Sequence, residues 1–475
     1  MVFSSFLFLF GFLPLYLLGY YALPSRFKNL FALVASYLFY AWGAPTVVLI
    51  LLISSTLDYY IAKQFSGPRR KAWFILSIII NVSLLVYYKY ANFFIEQTNF
   101  ILSILGFTNV TWISIALPAG ISFFTFHKLS YLTDVYSGRT GRAQTLVNYL
   151  LYVAFFPQLI AGPIVRYHDV GFQIEKRTHS LNQIFSGIMR FCLGLAKKVL
   201  IADTLGRVAD KIFALSSADL TSGYAWLGVL AYAYQIYFDF AGYSDMAIGL
   251  ARMMGIEFLE NFNMPYISQN ITEFWRRWHI SLSNWMREYL YIPLGGNRLG
   301  KARMYANLVI VFLISGLWHG ASWTFIVWGI WHGLFLVIDK LFWIKLSSHL
   351  PKILNVLITF FVVLIGWVLF RATTFSAAAD MFAVMFNFST FGEPLPNHYR
   401  AEIMSNRGIF IFCLATILSF APLFTNKAEH VKTLWSSLGA VPRLACSGCF
   451  SLIIFILSVL AVSSYSFSPF LYFQF

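Results

Sequence analysis

Charged residues are scarce in this chain. Only 11% of its 475 residues are charged, while 59% are hydrophobic and 19% are aromatic; soluble domains usually carry about 25% charged residues. Apolar runs recur from residues 2–21 to residues 449–465 and leave no uninterrupted polar stretch of ordinary domain size. The composition excludes a soluble protein. It predicts an all-α polytopic membrane protein in which residues 1–475 form a single integral-membrane domain.

Cysteine is also rare, with four residues at Cys192, Cys413, Cys446 and Cys449. The last two form a CxxC, but a zinc site requires a second pair of ligands, and no nearby Cys or His supplies one. We therefore expect no metal site and assign the cysteines to packing.

Signals of secretion and of nucleic-acid binding are missing as well. The N-terminus has neither the positive start nor the small-residue cleavage site of a secretory signal, which predicts a retained first span. The formal charge of +15 comes from basic residues in short segments between apolar runs. That pattern is typical of cytoplasmic loops facing anionic lipid, so we expect membrane lipid and no nucleic acid as a partner.

The apolar runs predict about eleven to thirteen transmembrane or re-entrant helices. A span needs about 20 mostly apolar residues. Several runs are short or contain Gly and Pro, which favours some re-entrant or tilted segments. The runs lie near residues 2–22, 30–43, 46–62, 73–88, 112–132, 145–162, 183–202, 224–250, 305–338 (long enough for two), 353–370, 408–424 and 444–464.

Basic clusters predict the orientation, because Lys and Arg near span ends tend to stay cytoplasmic. An acid-free cluster lies at residues 63–71 and a second basic region at residues 276–303. Both are expected to face the cytoplasm. Counting back from the first cluster places Arg26 and Lys28 on the cytoplasmic side and the N-terminus outside, and segment 387–407 also falls outside.

The segment ITEFWRRWHISLSNWMREYLYIPLGG, residues 271–296, has the pattern of an amphipathic helix. At 100° per residue its aromatic and apolar positions share one arc: Trp275, Trp278, Leu282, Trp285, Met286 and Tyr289. Trp and Arg in this arrangement suit an interfacial anchor helix. An anchor has no need of the imidazole of His279, which is either a packing residue or a functional one.

Two histidines occur in an echoed motif, GLWHG at residues 316–320 and GIWHG at residues 329–333. The GxxxG spacing favours close helix packing. His319 is surrounded by Ser, Gly and Ala, which leave room for a substrate, and a neutral imidazole at membrane depth is suited to general-base catalysis. His332 has bulky neighbours, and packing is the better interpretation there.

Two acids interrupt apolar sequence, Asp239 and Asp245. They predict either a proton relay or a buried pair with a nearby Arg or a helix N-terminus. A relay formed with His319 would make the protein a polysaccharide or proton-coupled transporter, but transporters often contain internal repeats, and the only duplication visible is the short GxWHG echo. The segment PQLIAGPIVRY, residues 157–167, predicts a broken helix or a tight turn.

The histidine segments WRRWHISLSNWMREYLYIPLGGNR and SGLWHGASWTFIVWGIWHG resemble the membrane-bound O-acyltransferases, and within them the bacterial alginate O-acetyltransferase branch. The resemblance covers nearly the whole chain and includes LPAGISFFTFHKLSYLTDVYSG, FFPQLIAGPIVR and YFDFAGYSDMAIGLARMMG. The D-alanyl transferase of teichoic acid modification is a more distant relative with a similar histidine pair. Together these motifs are highly specific, whereas WHG alone is weak.

The resemblance implies helices around a membrane-spanning funnel in the bacterial inner membrane, with His319 at the family's invariant position and His279 at its second active-site position. It implies transfer of an acetyl group from a cytoplasmic donor, acetyl-CoA, with no permanently bound cofactor. His319 is then expected to act as general base, and His279 to orient the donor or stabilise the oxyanion. Arg276 and Arg277 are expected to meet the donor phosphates, although the positive-inside tendency explains both without a ligand.

The expected acceptor is an extracellular or periplasmic polysaccharide such as alginate. Peptidoglycan, cellulose, teichoic acid or a lipid is an alternative acceptor that the sequence does not distinguish. The resemblance also implies a periplasmic partner, often of the SGNH-hydrolase type, that places the group on the polysaccharide hydroxyl. Segment 387–407 and the C-terminal FSPFLYFQF are the expected contacts for such a partner.

Overall fold

The protein is helical throughout the part that the computed structural model describes, residues 1–395, 399, 403, 405–424, 439–464 and 470–471. No β-strand occurs in these residues. Part of segment 387–407 and most of the C-terminal FSPFLYFQF, the expected partner contacts, lie outside the described residues. The all-α class predicted from composition is confirmed.

The first eleven helices extend to residue 253. They are α1 (Leu13–Ala22), α2 (Ser25–Ala41), α3 (Val47–Lys63), α4 (Arg70–Ile104), α5 (Ile121–Ser137), α6 (Leu146–Ala154), α7 (Phe156–Leu159), α8 (Tyr167–Glu175), α9 (Leu181–Ala196), α10 (Asp203–Phe213) and α11 (Ser222–Met253). Two π-helical stretches, Leu7–Phe12 and Lys197–Ala202, precede α1 and α10.

Nine further helices follow in the described residues. They are α12 (Ile271–Arg277), α13 (Ile280–Met286), α14 (Lys301–His319), α15 (Trp323–Ile338), α16 (Ile344–Ser347), α17 (Lys352–Arg371), α18 (Phe375–Phe386), α19 (Asn406–Phe424) and α20 (Ala440–Ser464). Further π-helical stretches follow α13 at Arg287–Tyr291 and α15 at Asp339–Trp343.

Seven helical segments in the described residues are long and apolar enough to cross a membrane: Val47–Ser66, Arg70–Ile104, Lys301–His319, Trp323–Ser347, Lys352–Arg371, Asn406–Phe424 and Val441–Ser464. The long run at 305–338 is two helices, as its length predicts. The count of eleven to thirteen spans and the funnel stay predictions. Helix α4 has 35 residues, hence a length of about 52 Å at 1.5 Å per residue, well beyond a hydrocarbon core of about 30 Å.

The chain divides into two compact units: unit 1 comprises residues 1–187 with 247–259, and unit 2 comprises residues 188–246 with 260–474. The core of unit 1 is aromatic. Phe156, which is fully buried, lies with its ring centroid 5.1–5.4 Å from those of Phe12, Tyr16 and Phe39. Each unit thus has its own core, and the single domain expected from the sequence stays a prediction.

The segment PQLIAGPIVRY breaks the helical path in unit 1, as its prolines and glycine predict. Helix α7 ends at Leu159, and Gly162 has a φ of 107°, a conformation that glycine adopts without steric cost. Arg166 then caps α8: its side chain pairs with Asp169 at 2.8 Å. The broken-helix interpretation is confirmed.

The echoed glycine motifs pack α14 against α15 in unit 2. A Cβ on Gly316 would lie 2.3 Å from the carbonyl oxygen of Phe325 in α15. Conversely, a Cβ on Gly329 would lie 2.3 Å from the carbonyl oxygen of Phe312 in α14, and one on Gly333 would lie 3.1 Å from the Cα of Val309. The glycines therefore allow close backbone approach, which accounts for both copies of the motif.

Replacing Gly329 with alanine is expected to lower the thermal stability of the protein, because the added methyl group meets backbone that cannot move independently. Overpacking of this kind costs about 1–3 kcal/mol. Gly223→Ala in α11 is the matched control, since its added Cβ would find its nearest neighbour 3.8 Å away. Thermal unfolding of the purified protein in detergent measures both variants. Equal unfolding temperatures for the two would contradict the packing role.

Candidate active site

His279 lies at a break in the segment that was predicted to be one amphipathic helix. Helix α12 ends at Arg277 and α13 begins at Ile280, and His279 itself has φ 44° and ψ 54°, the left-handed region. Continuous helix over 271–296 was therefore wrong. The interfacial anchor is also wrong, because the aromatic arc is buried inside unit 2: Trp275, Trp278, Leu282, Trp285 and Met286 are all at most 6% exposed.

Asn261 is the physical reason for the break. Its carbonyl oxygen accepts a hydrogen bond from the backbone N–H of Ile280 at 2.9 Å. Its side-chain Oδ1 accepts hydrogen bonds from the backbone N–H of Ser281 at 3.2 Å and from the Ser281 hydroxyl at 2.8 Å. These bonds capture the first donors of α13, which a continuous helix would have used internally. Tertiary contacts thus override the 3.6-residue periodicity.

The same asparagine also fixes the protonation pattern of His279. Nδ1 of the imidazole lies 3.2 Å from Asn261 Oδ1, and the backbone N–H of Ser281 donates to the same atom at 3.2 Å, which identifies it as the amide oxygen. Since Oδ1 only accepts, Nδ1 carries the hydrogen, and Nε2 of a neutral His279 then carries the lone pair. His279 is fully buried, with its ring perpendicular to that of Phe240 at 4.5 Å.

His319 is the last residue of α14 and is 4% exposed. Three aromatic rings surround its imidazole, those of Trp318 at 4.8 Å, Trp328 at 5.0 Å and Phe370 at 5.2 Å between centroids. The chain turns to extended backbone at Gly320 immediately afterwards. The imidazole is therefore held at a helix end in a largely apolar enclosure.

Trp318 brings the two candidate histidines into one cluster. Its ring centroid lies 6.2 Å from that of His279 and 4.8 Å from that of His319. Two histidines that are 40 positions apart in the sequence thus both lie beside the ring of one tryptophan.

His332 is packed between aromatic rings, as its bulky sequence neighbours predict. Its ring lies 5.0 Å from that of Trp328 and 5.1 Å from that of Trp275, and Trp275 Nε1 donates to its Nδ1 at 3.4 Å. On its other side, a Cβ on Gly366 would lie 2.7 Å from His332 Nε2. No space for a substrate is left at this imidazole.

A cleft of about 340 Å³ begins beside α12 and α13 and has charged and apolar parts. Three exposed cations line it, Arg276, Arg287 and Lys340. The rest of the wall is uncharged: Thr272, Trp275, Ile280, Leu282, Ser283, Asn284, Met286, Tyr291, Asn297, Leu308, Val311, Phe312 and Ser315. Ser315 precedes His319 by one helical turn. We call this feature the basic cleft.

The structure separates the two arginines that the sequence placed together. Arg276 lines the basic cleft. Arg277 does not; its Nε pairs with Glu273 Oε1 at 2.9 Å and its Nη1 donates to the carbonyl oxygen of Asn263 at 3.1 Å. Thr272 donates two hydrogen bonds to Asp339, from its backbone N–H at 2.6 Å and from its hydroxyl at 2.8 Å. These bonds tie the start of α12 to the end of α15. Only one of the two arginines is thus available to an anion in the cleft.

The acids considered for a proton relay are ion-paired. Lys198 Nζ lies 2.7 Å from Asp239 Oδ1. Asp245 contacts both Arg190 Nη2 and Lys197 Nζ at 2.6 Å. Of the two interpretations, this geometry favours buried pairs with cations, because each carboxylate is already in contact with at least one cationic side chain.

Asn261 and Trp318 are site residues that the sequence reasoning missed. Asn261 lies 18 residues before His279, in a loop whose sequence carries no periodic signal. Trp318 is the residue directly before His319 in WHG, so its position was a usable signal. Lys340 and Arg287 are further omissions: Arg287 was interpreted only as part of a basic cytoplasmic segment, and Lys340 was not considered.

The chain matches the membrane-bound O-acyltransferase family over residues 45–375 and belongs to this family. It is accordingly an acyltransferase of a multi-pass membrane class. Among curated relatives, it is 43% identical to the probable alginate O-acetylase of Azotobacter vinelandii over 100% of both chains. It is 38% identical to the peptidoglycan O-acetyltransferase of Helicobacter pylori over 80% of this chain and 78% of that one.

A further relative is the teichoic acid D-alanyltransferase of Bacillus subtilis, 30% identical over 54% of this chain and 69% of that one. The family resemblance inferred from the two histidine segments is confirmed. These relatives act on three different acceptors, so the family membership defines O-acyl transfer and leaves the acceptor to be proposed.

Proposed function

We propose that this protein is an O-acetyltransferase of the bacterial inner membrane that passes an acetyl group from cytoplasmic acetyl-CoA to an extracellular or periplasmic polysaccharide. The observation that carries the proposal is that His279 and His319 both lie beside Trp318. The wall of the basic cleft includes Ser315, which lies one helical turn before His319. A donor with phosphates at one end and a thioester at the other fits a cleft whose wall has both cationic and apolar side chains.

In the proposed reaction, His319 is the general base. The acceptor hydroxyl attacks the carbonyl carbon of the thioester, a carbon–oxygen bond forms and the carbon–sulfur bond breaks. His319 takes the hydroxyl proton and returns it to the departing thiolate, so that the imidazole is neutral again after each turnover. A base of this kind typically contributes about 10²- to 10⁴-fold to the rate.

We assign His279 to orientation of the donor. Its Nε2 lone pair, fixed by the Asn261 hydrogen bond, is suited to accept a hydrogen bond from an amide N–H of the pantetheine arm. The alternative role, oxyanion stabilisation, requires a second proton on a fully buried imidazole, which burial disfavours. The tautomer therefore supports one of the two roles that the sequence left open.

Alginate is the proposed acceptor, because the relative named for it matches 100% of both chains at 43% identity. A periplasmic partner, of SGNH-hydrolase type by family resemblance, would complete placement of the acetyl group on the polysaccharide. A test uses membranes with and without the protein: release of free CoA from acetyl-CoA, and mass spectrometry of the extracellular polysaccharide. Loss of polysaccharide acetylation in a strain lacking the protein is expected. Transport of polysaccharide without CoA release would favour the transporter alternative instead.

The neighbouring arginines provide a matched pair for the donor site. Arg276→Gln is expected to raise KM for acetyl-CoA about tenfold with a small change in kcat, because one charge-assisted contact to phosphate is lost. Arg277→Gln removes the same charge one residue away, outside the cleft, and is expected to leave KM within about twofold. Initial rates of CoA release at varied acetyl-CoA and salt measure both. Equal KM values for the two variants would refute donor binding in the basic cleft.

A further inference from the structure

Three basic side chains gather in unit 1, between the start of α2 and the turn that follows α8: Lys28, Arg177 and His179. The ammonium of Lys28, whose side chain is 9% exposed, lies 4.7 Å from the ring centre of Tyr20 and 4.9 Å from that of Tyr21. The Arg177 guanidinium lies 5.6 Å from the Tyr20 ring centre, and His179 Nε2 lies 3.0 Å from the Tyr20 hydroxyl oxygen. One tyrosine thus contacts all three cationic or basic groups.

Arg177 is held rigidly by two hydrogen bonds. Its Nε donates to the Tyr20 hydroxyl at 2.9 Å, and its Nη2 donates to Asn29 Oδ1 at 2.7 Å. Asn29 is fixed in turn, because its amide donates to Asn148 Oδ1 and to the carbonyl oxygen of Ile174, both at 2.9 Å. The guanidinium is therefore oriented before any ligand binds, which lowers the entropic cost of binding one.

The third nitrogen of the same guanidinium has no protein partner. Nη1 of Arg177 is buried and has no hydrogen-bond acceptor within the described residues. A buried donor left unsatisfied costs about 1–3 kcal/mol, and more for a charged group. An anion bound next to Arg177 would supply the acceptor that Nη1 lacks.

The charge balance of the cluster leads to the same conclusion. Within the described chain, none of the ion pairs joins a carboxylate to Lys28, Arg177 or His179. Burial and then the charges of Lys28 and Arg177 lower the pKa of His179, and burial and then Arg177 lower the pKa of Lys28. Like charges held together without a counter-ion repel one another, and an anion between them removes this repulsion.

We propose that Lys28, Arg177 and His179 form a phosphate-binding site. The ammonium of Lys28 and the guanidinium fork of Arg177, which has one donor to spare, suit the several oxygens of a phosphate group better than a single carboxylate. The Tyr21 ring, 38% exposed, provides an apolar surface next to the charges, as a phospholipid needs. The phosphate is either the phosphodiester of an anionic lipid headgroup or a free phosphate group. The site lies in unit 1, whereas His279 and His319 lie in unit 2, so it extends beyond acyl transfer.

The test measures thermal unfolding of the purified full chain in detergent with three probes. These are inorganic phosphate, short-chain phosphatidylglycerol, and diacylglycerol with the same chains and no phosphate. Phosphatidylglycerol is expected to raise the unfolding temperature and diacylglycerol is not. A response to inorganic phosphate as well identifies a free phosphate as sufficient, whereas a response to phosphatidylglycerol alone identifies the lipid headgroup.

Variants assign the effect to the site. Arg177→Gln is expected to weaken the apparent affinity for the responding probe about tenfold or more. Arg142→Gln is the matched control, since Arg142 is exposed in the same unit and donates only to the backbone oxygen of Lys63 among its described contacts. Arg177→Lys keeps the charge but loses the fork, and Lys28→Gln removes a cation from the edge of the site; both are expected to weaken binding less than Arg177→Gln.

Several results would overturn the proposal. The first is a wild-type protein that none of the phosphate-bearing probes stabilises, and the second is equal stabilisation by phosphatidylglycerol and diacylglycerol. The third is an Arg177→Gln protein that responds as Arg142→Gln does. If Arg177→Gln does not fold, Arg177→Lys and Lys28→Gln decide the question, and wild-type affinity in both would end it.

Discussion

Replacing His319 with alanine is expected to lower CoA release from acetyl-CoA by about 10²- to 10⁴-fold, the usual contribution of a general base. The imidazole lies at the end of α14, enclosed by Trp318, Trp328 and Phe370, and none of these three side chains is basic enough to take up the proton of the hydroxyl. Since the loss concerns proton transfer, it is expected in kcat and to a similar extent in kcat/KM. Initial rates in membranes, normalised to inserted protein, measure it.

His349→Ala is the matched control for this variant. His349 is exposed and its Nδ1 contacts only the nearby Lys345 carbonyl oxygen and Ser348, so its removal is expected to leave the rate within about twofold. His319→Gln is a second comparison: glutamine approximates the shape of the imidazole but has no basic nitrogen, and it is expected to be as inactive as alanine. A His319→Gln enzyme with near wild-type activity would show that the imidazole is not the base.

Replacing His279 with alanine is expected to lower kcat/KM for acetyl-CoA by about 10- to 100-fold, because a donor amide inside the protein is left without its acceptor. His279→Gln is expected to recover part of this loss, since the glutamine carbonyl oxygen accepts a hydrogen bond where Nε2 does. The opposite response of the two histidines to glutamine distinguishes their roles. Steady-state kinetics with varied acetyl-CoA provide the measurement.

Asn261→Ala supplies the control for the tautomer. It leaves both imidazoles in place but removes the oxygen that binds His279 Nδ1, so activity is expected to fall in the same direction as in His279→Ala and by a smaller factor. If His279→Gln is as inactive as His279→Ala, and Asn261→Ala is fully active, then the proposed acceptor role of Nε2 is wrong.

The fold class could be predicted from the sequence because it depends on composition and on local runs of apolar residues. The runs near 353–370 and 408–424 correspond to α17 and α19 within two residues. The segment around His279 could not be predicted in the same way. Its periodicity indicates one helix, but hydrogen bonds donated to Asn261 divide it in two, and no local pattern records a partner 18 positions away.

The candidate site shows the same limit. The small neighbours of His319 in the sequence indicated room for a substrate. Which of Arg276 and Arg277 is available to a ligand depends instead on the ion pair of Arg277 with Glu273, which only the fold shows. The grouping of Lys28 with Arg177 required the fold, since Tyr20 and Arg177 are 157 positions apart. The sequence shows which charged residues are present, but not which of them lie close together in the fold.

The left-handed backbone of His279 has an evolutionary consequence. This conformation costs roughly 1–2 kcal/mol for a residue with a side chain, and glycine would adopt it freely. Selection for stability alone would therefore favour glycine at this position, and a histidine is retained there only while its imidazole is useful. The position exemplifies a trade-off between stability and activity. The hydrogen bonds that Asn261 accepts from Ile280 and Ser281 hold the backbone in this unfavourable conformation.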